Sequence, residues 1–71
     1  MEAKELNLKF LNKDLDYITN RLSDIIAFMS NGEEFESLDD FDKMSFSYQR
    51  KYLNECRIIV RDRIKKIKRG L

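Results

Sequence analysis

The stretch LKFLNKDLDYITNRLSDIIAFM, residues 8–29, decides the fold. Its Leu8, Leu11, Leu15, Ile18, Leu22, Ile25 and Met29 recur at spacings of three and four. That period lines them up on one face of an α-helix; a strand would alternate every second residue. A second stripe follows in Phe46, Leu53, Cys56, Val60, Ile67 and Leu71. Gln49 falls on this second seam, and Arg63 stands beside it next to Ile64.

The punctuation between the stripes sets the elements. Proline is absent, and the two glycines are Gly32 and Gly70. Both stand where a helix should stop. The periodicity predicts a first helix over about residues 4–30, ended by Ser30-Asn31-Gly32, with Asn31 or Gly32 free to take a left-handed cap. A connection over about residues 31–38 follows, and its Phe35 and Leu38 are expected to tuck beneath the tip. Asp39 is a good N-cap, with Asp42 at the positive end of the helix dipole; Ser37 with Asp40 is an equally spaced alternative. The second helix is expected over about residues 39–69, and Arg63, Lys65, Lys66, Lys68 and Arg69 in its last turns suit the C-terminal dipole. The chain is one small all-α domain over residues 1–71, an antiparallel two-helix hairpin. Each helix would be roughly 40–45 Å long, leaving a thin molecule with little interior.

That thinness raises the question of what else stabilises it. A chain of 71 residues has a marginal core, and small domains usually need a staple. Cys56 is the one cysteine and histidine is absent, so an intrachain disulfide is excluded and a structural zinc site is not expected. Self-association is the remaining common solution. The first helix carries Leu6, Phe10, Tyr17, Ile26 and Phe28 beside its seam. The second carries Phe41, Met44, Tyr48, Tyr52 and Ile59. One partner helix cannot cover two faces, so a homo-oligomeric helical bundle is expected, with a ligand or partner groove as the sharper use of the same surface.

Charge and composition narrow the function. The chain is 42% apolar and 38% charged, with a net charge of +1, so no global field draws it to nucleic acid or membrane. No signal-peptide or membrane-spanning pattern is visible, and a cytoplasmic setting without membrane contact is expected. Acidic residues crowd the turn at Glu33, Glu34, Glu36, Asp39, Asp40 and Asp42, while the stretch after Cys56 is basic apart from Asp62. The bland meaning is a solvated surface; the functional one is an anion site. Stacking aromatics are not interleaved with the cations, which makes nucleic acid the less expected partner and a small phosphate-bearing ligand the better fit. Catalysis lacks its usual groups. Without histidine, Cys56 has no activating base and reads as a buried structural thiol. No enzyme activity and no cofactor are expected. Gln49 and Arg63 have two open readings: register pins within an oligomer, or ligand contacts. Arg63 could also lay its stem on the seam with its head in water, and Arg21 could pair with Asp14 or Asp24.

The run Arg21-Leu22, Ile25, Phe28-Met29, Phe35-Glu36-Ser37-Leu38, Gln49 and Arg63-Ile64 resembles a family of very small helical-hairpin proteins of tailed phages, crAss-like phages among them. The resemblance covers about residues 15–66; Ser45-Phe46 and Leu53 stand where that family often has a Leu-Leu pair and a methionine. It implies a phage protein working in the host cytoplasm. By looser analogy, such proteins are similar to the sponges that counter cyclic-oligonucleotide immunity (CBASS) by holding cyclic di- or trinucleotides between protomers without cleaving them. The aromatic–alanine–threonine pattern of the better-known sponges is missing from the second helix. On this reading Arg63 and Gln49 lead the ligand-binding candidates. Arg21, Arg57 and Arg61 are further phosphate contacts, and Tyr52, Tyr48 and Phe35 are faces for bases. The rival expectations are a hairpin module that blocks a host protein, and a small nucleic-acid-binding oligomer using the basic end.

Overall fold

The computed structural model describes residues 2–70, and every element in them is helical: α1 Ala3–Met29, α2 Gly32–Glu36 and α3 Asp40–Lys68. Leu71, the last residue of the expected seam, lies outside the described residues.

α1 and α3 pack side by side in opposite directions. Leu11, early in α1, meets Val60 and Ile64, late in α3, with Leu8, Leu15, Ile18 and Ile67 around them. At the other end Phe28 of α1 meets Phe46 of α3, their ring centroids 5.1 Å apart. Phe35 of α2 closes this end edge-on, 6.1 Å from Phe28 and 6.4 Å from Phe46. The aromatic trio holds the connection through tilted and edge contacts, each about 0.5–1.5 kcal/mol beyond the area it covers. Leu22 and Ile25 fill the middle, and Ile25 is the most enclosed large side chain at 2% exposure.

The ends of the helices follow local chemistry. Asp39 caps α3 by accepting a 2.8 Å hydrogen bond from the backbone N–H of Asp42. The alternative cap, Ser37, is engaged elsewhere, its hydroxyl donating to the carbonyl of Glu34 at 2.6 Å. Lys43, one turn into α3, reaches back to Glu36 at 2.9 Å and ties the connection down. That bond holds the Lys43 ammonium above its ordinary value of 10.5. α1 ends differently from the expected left-handed cap. Ser30 remains right-handed, its hydroxyl bonding the carbonyl of Ile26 at 2.9 Å, and Asn31 has φ −84°. Neither Asn31 nor Gly32 needs positive φ, because the chain re-enters helix at once, with Phe35 N–H donating to Asn31 at 2.9 Å. Gly70, at φ 80°, does take the left-handed position beyond α3.

The result is a rod of 49 × 15 × 15 Å with a radius of gyration of 15.9 Å. A compact domain of this length would have a radius of about 11 Å, so the chain has spread its apolar residues along an axis instead of gathering them.

Candidate functional site

The seam of α3 passes through Leu53, Val60 and Ile64 and leaves its polar interruptions at the edge. Gln49 is half-buried, its amide donating to the hydroxyl of Ser45 at 3.3 Å. Arg63 is exposed, one position off buried Ile64. Cys56, expected inside, is exposed. The reason is rotation: Cys56 precedes Val60 by four residues, and at 100° per residue that turns it about 40° off the seam. On a rod this thin, 40° is enough to reach solvent.

Arg21 of α1 with Gln49, Tyr52 and Cys56 of α3 line a groove of about 300 Å³, completed by Tyr17 and Leu53. An adjoining hollow of about 350 Å³ lies between Phe41, Met44, Tyr48, Gln49 and Tyr52. Tyr48 and Tyr52 stack with ring centroids 6.2 Å apart and planes 20° from parallel. Helical spacing extends this flank. Leu6 and Phe10 precede Tyr17 by eleven and seven residues, and Ile59 follows Tyr52 by seven, so each projects to the same side. Of the ten large apolar side chains exposed among the described residues, only Ile26 and Ile58 lie off this flank. Scattered exposed apolar residues need no explanation, but a continuous row does.

The candidate residues therefore divide. Arg21, Gln49, Tyr48 and Tyr52 come together. Arg63 shares their flank but stands eleven residues, or about 16 Å, further along α3 than Tyr52. Arg57 and Arg61 belong to the opposite flank, where Arg57 donates to the side chain of Asn54 at 2.8 Å and Arg61 lies near Ile58, Asp62 and Lys65. Phe35 is half-buried in the aromatic trio at the tip. Arg21 forms no ion pair with Asp14 or Asp24; among the described residues the one ion pair is Lys43–Glu36. The groove also contains two residues that the sequence does not single out as ligand contacts, Tyr17 and Cys56. Tyr17 precedes Arg21 by one helical turn, and that spacing is the signal that points to it. Cys56 is hidden by its place in the heptad.

Chemically, the groove offers one guanidinium, one amide with spare donors and acceptors, the thiol of Cys56 and flat aromatic faces. No cluster of His, Cys, Asp and Glu among the described residues is arranged to hold a metal ion. No described helix is long and apolar enough to cross a membrane. No family model matches the chain, and neither the curated proteins nor the solved structures give a match.

Proposed function

We propose that the protein is a non-enzymatic binding protein that works as a homo-oligomer and sequesters a small anionic, base-bearing ligand between protomers, a cyclic di- or trinucleotide. The observation that carries this reading is the aromatic flank with Arg21 and Gln49 set among its tyrosines. The accessible surface of 5563 Å² supports self-association. A folded monomer of 8.6 kDa exposes about 4,700 Å², and the excess slightly exceeds the roughly 800 Å² that each partner contributes to a standard interface. Pairing flank to flank would bury Phe41, Tyr48 and Tyr52. It would also bring two copies of the Arg21–Gln49 pair near each other, doubling the donors available to a ligand with several phosphates. The phage setting and the host cytoplasm come from the family resemblance.

A second reading is favoured by one residue. Phe41 is 77% exposed beside the hollow that Met44 and Tyr48 line, which suits docking of an apolar segment of a host protein. A thermal-shift screen with cyclic di- and trinucleotides, run alongside mass measurement in solution, separates the two. A ligand at 100 times its Kd adds about 2.7 kcal/mol and raises the melting temperature visibly. Arg21→Ala and Gln49→Ala are expected to abolish the shift while leaving the oligomer intact. A stable oligomer that shifts with no cyclic nucleotide overturns the sponge reading, and a monomer at working concentration overturns the assembly.

A further inference from the structure

The flank of α3 turned away from the tyrosines is built of donors. Ser47, Arg50, Asn54, Arg57, Arg61, Lys65 and Lys68 recur at spacings of three and four, with no carboxylate in the row. From Arg50 to Lys68 the row runs about 27 Å. Lys51 adds a further charge at its edge, where it lines a groove of about 410 Å³ with Ser47, Arg50, Asn54 and Arg57 against Leu22 and Ile26 of α1. Thr19 and Ser23 of α1 precede Ile26 by seven and three residues and so share this side, contributing uncharged hydroxyls. Among the described residues, none of these cations is in an ion pair. Arg57 is half-buried, and its Nε is enclosed without an acceptor, the guanidinium being held only through its bond to Asn54. A half-buried guanidinium whose bond goes to a neutral amide has no charge opposite it, and an anion would supply one. Asp62 lies near Arg61 and Lys65, and Asp16 of α1 is exposed; neither carboxylate pairs with the row.

We propose that this flank binds the phosphodiester backbone of a nucleic acid, independently of what the aromatic flank does. A linear chain of phosphates matches a row of cations along one axis better than a compact ligand does. An anionic membrane is the poorer match. Its binders pair a basic face with apolar side chains that insert beside it, and here the large apolar side chains are mostly on the far side. Aromatic faces are missing from the row, so bases are neither stacked nor read. The contact is sequence-independent. The net charge of +1 conceals this, because acids gathered at the tip cancel cations gathered along α3.

Fluorescence anisotropy with a labelled oligothymidylate, a labelled mixed-sequence strand and a duplex tests the proposal between 50 and 200 mM salt. Affinity is expected to fall linearly on a log–log plot, by about 0.7 in slope per phosphate engaged on a single strand and about 0.9 on a duplex. Arg50→Ala, Arg57→Ala and Arg61→Ala should each weaken all sequences alike and reduce the slope by about one phosphate. Lys13→Ala, the same loss of charge on the outer side of α1, should leave the slope unchanged. Circular dichroism identifies any variant that unfolds; the exposed Arg50 and Arg61 keep the test valid if Arg57→Ala does. No binding at 50 mM salt overturns the proposal. So does an Arg50→Ala/Arg61→Ala double variant that binds as tightly as the parent, or equal capture by phosphatidylserine vesicles.

Discussion

Asp39 carries the start of α3 through a single bond to the Asp42 N–H. Removing a cap of this kind costs about 1 kcal/mol, since the first turn is left with an unsatisfied donor. Asp39→Ala is therefore expected to lower stability by about that amount in thermal or urea unfolding, while Ser37→Ala costs a few tenths, its hydroxyl bonding within the connection rather than capping α3. The sequence offers both residues at equal spacing. Only the placement of Glu34 beneath Ser37 decides between them, and that depends on α2. The short α2 itself is not legible in the sequence, because five residues carry too little periodicity to announce a helix.

At the scale of the element, α3 is a three-sided object. One side is the seam, one is aromatic and one is basic. Heptad spacing makes the seam readable in the sequence, and the surplus of apolar residues makes the aromatic side countable there too. The basic side is hidden from a reading along the chain, which sees blocks of charge at either end. It emerges only when the charges are placed around the helix. The seam position of Cys56 misleads for a related reason: a heptad letter gives an angle to within about 50°, and a two-helix rod closes only a narrow arc. The same narrowness makes the few buried positions matter. Ile25→Ala is expected to cost about 2–5 kcal/mol in urea unfolding. Tyr17→Ala, at a side chain 69% exposed, should leave the monomer fold in place by circular dichroism and weaken association, measured by sedimentation.

As a whole molecule, the rod has its contacts stacked along one axis, and this sets the order in which they can form. Phe28 and Phe46 are 18 residues apart in the chain, whereas Leu11 and Ile64 are 53 apart. Closing the longer loop first costs about 1 kcal/mol more in chain entropy. The tip is therefore the place where folding begins, with Phe35 already beside its two partners and Asp39 starting α3. The open end joins afterwards, each turn bringing the next pair within reach as the teeth of a closing zipper do. Stopped-flow folding should register this as a gradient. Phe46→Leu is expected to slow folding, and Leu11→Ala to act mainly by speeding unfolding. Equal effects of both changes on the folding rate would show that the rod closes along its whole length at once. The aromatic trio would then be a fastening for the finished rod and have no part in its birth.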